Sequence, residues 1–242
     1  GTFADPSTQK QYLDLVGKVA EQKPEYFILL VEANLYKDKN PTDYEAFKRL
    51  LPDAIKIVRE KSPATKVGVS ITFGDHNGRN GIDNEDTAYF RACVNDFDPM
   101  VDMVSVSTYP FYLMNPANLQ RNFVHVLAMI SPKPLFISET SWVSESFDIQ
   151  MPNNEKYTFL SSEEKQAEYY RRVLSAAKEA VSRGDNVLCV NFVSLTDPKP
   201  ASIAAFKKIN PQFAWFTSLA MCDNSGKPKE SYNVLKDAHA QK

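Results

Sequence analysis

The sequence predicts an α/β fold of the parallel (β/α) barrel type, and three observations carry that expectation. Strand-like runs alternate with helical patterns at the spacing of βαβ units. Several strands carry small or polar residues in alternation, Gly68, Ser70 and Thr72 in one and Ser105, Ser107 and Tyr109 in another. A barrel interior packs side chains in layers, and small residues near its top leave space for a ligand; a flat doubly wound sheet favours branched aliphatics on both faces. The strands also end on polar and aromatic residues, at the end of a parallel sheet where sites are built.

Along the chain, Ser7 to Gln22 reads as a helix with Tyr12, Leu13, Leu15, Val16 and Val19 on its apolar side and Asp5 or Ser7 as its cap. "PEYFILLVEANLY" reads as a strand opened by Pro24. "NPTDYEAFKRLLPDAIKIVREKSP" follows as a helix with Phe47, Leu50, Leu51, Ile55 and Val58 at helical spacing, and Pro52 is expected to kink or divide it. "TKVGVSITFG" is the next strand, a helix runs from Asp86 to Asn95, and "VDMVSVSTYPFY" is the third strand. "NPANLQRNFVHVLAMI" is read as helix, "KPLFISETSW" as strand, and Val143 to Thr158 as a long polar loop. "SSEEKQAEYYRRVLSAAKEAVSRG" is the clearest helix, capped by Ser161 or Ser162, with Gly184 at its end. "DNVLCVNFVSLTD" is the last of five strands. No linker, repeat or low-complexity tract divides residues 1–242, so a single domain is expected.

Composition narrows the function. The 242 residues are 43% hydrophobic and 24% charged with a formal net charge of -2, which gives no electrostatic footprint for a nucleic-acid partner. The longest apolar run, Phe27 to Val31, is too short to span a membrane. Three Cys and three His residues are scattered without ligand spacing, so neither a metal nor a cofactor is expected. The Gly- and Asn-rich "TFGDHNGRNG" lacks the spacing of a phosphate-binding loop and reads as a loop from which Asp75 or His76 reaches a ligand. No G-x-S-x-G elbow surrounds Ser138. Asp197 and Asp223 read as turn residues.

The strand "PLFISETSW" poses the main question, because a charge at the end of an apolar run is costly unless it is paired or useful. Glu139 ends this strand beside Trp142, and Glu32 ends the first strand with Asn34 two residues on. Tyr109 with Phe111 and Tyr112 ends the third, and Asn191 with Phe192 the fifth. Two carboxylates with aromatic neighbours suit glycoside cleavage, in which one carboxyl protonates the leaving oxygen and the other attacks the anomeric carbon or activates water. Any one strand-end Glu is more often structural, and it is the pair that shifts the balance.

A strand-end Glu, then "YPF", then "SETSW", resembles the second half of a clan A glycoside hydrolase barrel, and most nearly the endo-β-1,4-galactanase family. The tail around "DNSGKPK" resembles the turn before the last helix of such enzymes. The resemblance covers Glu25 to Asp237 and implies a TIM-barrel (β/α)8 fold of which this chain carries strands four to eight. It implies a retaining glycosidase acting on a polysaccharide or oligosaccharide, with Glu139 as nucleophile and Glu32 as acid/base. Tyr109 would hydrogen-bond the nucleophile, Trp142 would line the sugar site, and Asn34, His76 and Asn191 join them as substrate-side candidates. It further implies an extracellular or periplasmic, secreted protein of carbohydrate metabolism. A preceding segment or a second chain would complete the barrel. Two positions depart from the pattern: Val31 stands where the clan places an Asn that contacts the sugar 2-hydroxyl, and Asn191 and Phe192 stand where a Trp platform is usual. The Val31 departure keeps a second expectation open, a non-catalytic carbohydrate-binding relative.

Overall fold

The computed structural model describes residues 1–74, 84–150, 156–209 and 216–240. Packing groups the chain into two interleaved compact units, 1–108 with 126–138 and 184–189, and 109–125 with 139–183 and 190–242.

The first unit carries the main sheet. Its strands are β1 (Tyr26–Ile28), β2 (Lys66–Thr72), β3 (Met103–Ser107), β4 (Leu135–Thr140) and β7 (Val187–Phe192), in the spatial order β1-β2-β3-β4-β7. The last residues of β4 and β7 pass into the second unit. The registers are parallel, Tyr26 opposite Lys66 and Ser70 opposite Ser105. Leu135 donates to the Asn186 carbonyl and Val193 to that of Thr140, so β4 and β7 also run together. The strands expected to end at Glu32, Phe73, Tyr109, Glu139 and Phe192 are thus adjacent in that order, with β1 and β7 at the two edges.

This sheet is strongly curled. Strands β1 and β4 are three places apart, about 14 Å on a flat sheet, yet the Tyr26 and Phe136 rings have centroids 5.0 Å apart. Ser70 on β2 meets Ser138 on β4 at 3.1 Å, oxygen to oxygen, past the intervening β3. The small residues read from the sequence allow this close approach. At Gly68, an added Cβ would lie 3.2 Å from Met103 and 3.3 Å from Ile28, so a side chain there would press on both neighbours.

Helix α1 (Pro6–Ala20) is capped by Asp5, which accepts from the Ser7 and Thr8 amides. Helix α3 (Pro41–Lys61) is capped by Asn40 and runs on through Pro52, so the proline does not divide it. An interior Pro costs about 3 kcal/mol, but Phe47, Leu50, Leu51, Ala54 and Val58 are buried along the inner face, and each large one contributes about 1.5–3 kcal/mol. Burial wins. The strand read over "PEYFILLVEANLY" is shorter than expected: it ends at Ile28, and Ala33–Lys39 forms helix α2. The break falls at Glu32, whose φ of 54° and ψ of 46° no strand residue adopts. Helix α4 (Asn84–Asn95) precedes β3.

In the second unit, helix α6 (Glu163–Ser182) is capped by Ser162 and carries Glu163 and Glu164 in its first turn, where the helix dipole favours them. Helix α8 (Glu230–Ala240) packs against it. The polar loop expected over Val143 to Thr158 instead holds an antiparallel hairpin, β5 (Phe147–Gln150) with β6 (Lys156–Phe159). Phe147 and Phe159 pair across it. The helix read over "NPANLQRNFVHVLAMI" shrinks to one short 3-10 turn (Pro116–Asn118) and α5 (Phe123–Ala128). Pro116 opens one turn and the Asn118 amide closes it on the Leu113 carbonyl, so the backbone bonds are taken locally. Helix α7 (Pro200–Ile209) completes the elements among the described residues.

Under α2 and α3, Asp96 accepts hydrogen bonds from Lys37 at 2.9 Å, Lys48 at 2.8 Å and Tyr44 at 2.8 Å. Burial pushes its carboxyl up, but the three donors outweigh that and hold it at about 2. A group depressed on folding stabilises the fold above its unfolded value and loses that contribution as pH falls through the folded one. The stabilisation from this cluster is therefore present at pH 5 and lost between about pH 4 and pH 2. Urea unfolding across that range should show the loss, and Asp96→Asn should flatten it; an unchanged slope in that variant would contradict the assignment.

Candidate active site

In the first unit, Glu32 follows β1 at the position before helix α2. Its side chain makes no capping bond to the helix, and its backbone occupies the left-handed region. That conformation costs a non-glycine residue about 1–3 kcal/mol and persists only where the surroundings over-determine it. Two contacts do so. Asn34 is fully buried, and its amide accepts from the Thr72 N–H at 2.7 Å and donates to the Thr72 carbonyl at 2.9 Å. This two-point clamp ties the start of α2 to the end of β2. The Ser107 hydroxyl, at the end of β3, donates to Glu32 Oε1 at 2.9 Å. Ser107 is fully buried, whereas Glu32 is half-buried.

In the second unit, Glu139 is half-buried, and Tyr109 Oη donates to its Oε2 at 3.0 Å. The Tyr109 ring is fixed in turn by stacking on Phe111, centroids 5.9 Å apart, and by an edge contact with Phe216 at 5.8 Å. The residues after Glu139 point away into packing. Thr140 bonds Tyr169, and Ser141 donates to the Leu219 carbonyl at 2.7 Å. Trp142 lies among Phe111, Phe159 and Tyr169, with its indole N–H on Ser161 at 3.1 Å. Beneath them the buried Gln166 amide donates to the Trp142 carbonyl at 2.7 Å.

The sequence-derived candidates therefore separate. Glu32 and Glu139 are each held by a hydroxyl donor, and Tyr109 holds Glu139 as expected from the resemblance. Trp142 does not line a sugar site: it is 0% exposed, because aromatic packing encloses the whole ring. Asn34 is likewise withdrawn from solvent, since its amide is engaged with the Thr72 backbone. Asn191 is exposed on β7, followed by Phe192, which is buried and stacked on Tyr170 at 4.0 Å. His76 lies outside the described residues. Val31 is 49% exposed. Asp223 is a turn residue, accepting from the Ser225 and Lys227 amides, but Asp197 is not. Asp197 forms a buried ion pair with Lys229 at 2.5 Å, the last residue of the "DNSGKPK" turn. Ser107 and Phe216 were missed as site residues, although Ser107 lay in the alternation of small residues that suggested the barrel. Among the described residues no group of three or more His, Cys, Asp or Glu side chains could hold a metal ion, and no helix is long and apolar enough to cross a membrane.

A family model described as glycosyl hydrolase family 53 matches residues 31–193. A comparison with curated proteins finds no match. Among solved structures, the chain is similar to a beta-D-glucuronidase of Dictyoglomus thermophilum at TM-score 0.61 and 14% identity, over 98% of this chain and 36% of that one. It is similar to the GH53 catalytic domain of Ignisphaera aggregans at TM-score 0.57 and 16% identity, over 94% of this chain and 65% of that one. A beta-glucosidase from Thermotoga maritima matches at TM-score 0.58 and 12% identity, over 99% of this chain and 69% of that one. The first two of these structures are thus spanned for only 36% and 65% of their length. The likeness is one of fold: the five parallel strands are part of a (β/α)8 barrel.

The burial of Trp142 has a measurable consequence. Trp142→Ala should lower stability by about 3–5 kcal/mol, the usual cost of emptying a large aromatic site, in denaturant unfolding. Weakened oligosaccharide binding with unchanged stability would put the ring back in the sugar site.

Proposed function

The chain belongs to glycosyl hydrolase family 53, and from that membership we propose that it is a retaining glycoside hydrolase with Glu139 as nucleophile and Glu32 as acid/base. The substrate class this reading favours is a β-1,4-linked galactan or its oligosaccharides. The observation that carries it is the hydrogen bond from Tyr109 to Glu139, the arrangement the "YPF" and "SETSW" segments lead one to expect. In this reading Glu139 attacks the anomeric carbon while Glu32 gives its proton to the departing glycosidic oxygen, and a glycosyl ester forms on Glu139. Water, losing its proton to Glu32, then attacks the same carbon and releases the sugar and free Glu139. Tyr109 fixes the rotation of the Glu139 carboxylate so that one oxygen is presented to the carbon each time, the kind of positioning on which attack rates depend steeply. Polysaccharide substrates of this kind lie outside cells, and the proposal extends to an extracellular or periplasmic place of action.

One residue favours a second reading, a carbohydrate-binding relative without turnover. Val31 is apolar where the family pattern expects an Asn on the 2-hydroxyl, and hydrogen bonds to that hydroxyl contribute several kcal/mol in the transition state. Release of reducing ends from galactan separates the two, since binding without release supports the second.

For the enzyme reading, Glu139→Gln should abolish turnover and leave oligosaccharide binding within a few-fold. Glu32→Gln should spare aryl glycosides with good leaving groups, which need little protonation, and cripple those with poor ones. A crystal structure with sugar bound should place the two carboxyls roughly 5–5.5 Å apart; a separation beyond about 10 Å contradicts both the retaining and the inverting chemistry.

A further inference from the structure

We propose that Ser107 is a positioning residue for the acid/base carboxylate, holding Glu32 Oε1 so that the transferable proton is carried and delivered by Oε2. The inference rests on the reading of Glu32 as acid/base given above.

The geometry supplies the argument. Glu32 has no helix-capping bond to restrain its side chain, and its backbone is fixed by other groups, through the Asn34 clamp on Thr72. A half-buried Glu on a fixed backbone still has three rotatable side-chain bonds. The Ser107 hydroxyl reaches Oε1 at 2.9 Å from the last residue of β3, two strands from β1 in the sheet. Ser107 is fully buried on a strand and donates from a rigid position, whereas a lysine or arginine partner would bring a mobile side chain and a charge. One carboxylate oxygen is thereby committed to a donor, and a proton on the carboxyl belongs on the other.

The test compares two leaving groups. Ser107→Ala removes one oxygen and leaves the half-buried carboxylate to be hydrated while the Asn34 clamp still holds the backbone, so the variant should fold, its stability lowered by no more than the loss of one hydrogen bond. The substrates are 4-methoxyphenyl and 2,4-dinitrophenyl β-1,4-galactobiosides, poor and good leaving groups respectively. kcat/KM should fall about 10- to 100-fold for the first, on the scale that misplacement of a catalytic group produces, and less than about twofold for the second, with the loss in kcat. Ser107→Thr, which keeps the hydroxyl, should restore the first substrate. A merely structural role would lower both substrates alike, and that result, or no loss on either, overturns the proposal. Should the Ala variant fail to fold, Ser107→Cys, close in size and a weak donor, carries the same expectation. Glu32→Gln measured in parallel separates the two levels. If Glu32→Gln shows the leaving-group dependence and Ser107→Ala does not, the positioning role alone falls. If Glu32→Gln shows none, the acid/base assignment falls and takes this one with it.

Discussion

Two hydroxyl groups from one short segment, Ser107 and Tyr109, each hold a carboxylate, and the rest of the structure is arranged so that they can. The segment is the end of β3, central in a sheet of five strands, with the two residues after it. For Ser107 to meet Glu32, the first strand has to curl toward the third, and the sheet does so because its inner rows are small: Gly68 admits no Cβ without crowding Met103 and Ile28. The same curl brings Ser70 to Ser138 and Tyr26 to Phe136. Glu32 then takes a left-handed backbone, a local cost that the Asn34 clamp on Thr72 and the Ser107 bond offset.

Glu139 is secured differently. The carboxylate is followed by three residues that are all buried, Thr140, Ser141 and Trp142, so the chain after it has little freedom to shift. Gln166 on α6 donates to the carbonyls of Trp142 and Leu219, and its side-chain oxygen accepts from Ser231 on α8. The Asp197–Lys229 pair adds a buried charge contact to the same unit, with Lys229 also donating to Ser144 at 2.9 Å. Removing one partner of such a pair strands the other in an apolar place, which is why buried pairs are costly to break. The turn that delivers Lys229 depends on Gly226 at a φ of 87°.

The parallel strand order and the two carboxylates were legible in the sequence because both follow from local pattern, apolar runs closed by polar residues. What was not legible has physical reasons. The continuous apolar run from Tyr26 to Val31 carries no mark of the turn at Glu32, since a positive φ is normally signalled by Gly or Asn. Pro52 reads as a helix breaker, but the burial along α3 outweighs its local cost and the helix is not divided. The hairpin after β4 did leave a signal, the alternation of Phe147 and Ile149, then Tyr157 and Phe159, on either side of the polar segment "PNNEK". An aromatic residue beside a strand-end carboxylate suits a sugar platform, which is what the sequence suggests for Trp142. Sequence alone cannot say which side of a chain a ring faces, and here Phe111, Phe159 and Tyr169 claim it.

The central claim is that Glu139 forms a covalent bond to sugar during turnover. Incubation with a 2,4-dinitrophenyl 2-deoxy-2-fluoro-β-galactobioside, which slows release of the glycosyl ester more than its formation, followed by proteolysis and mass spectrometry, tests it directly. The account predicts one sugar per chain, on the peptide that contains Glu139. A protein that cleaves galactan while remaining unlabelled, or that carries the label on Glu32, contradicts it.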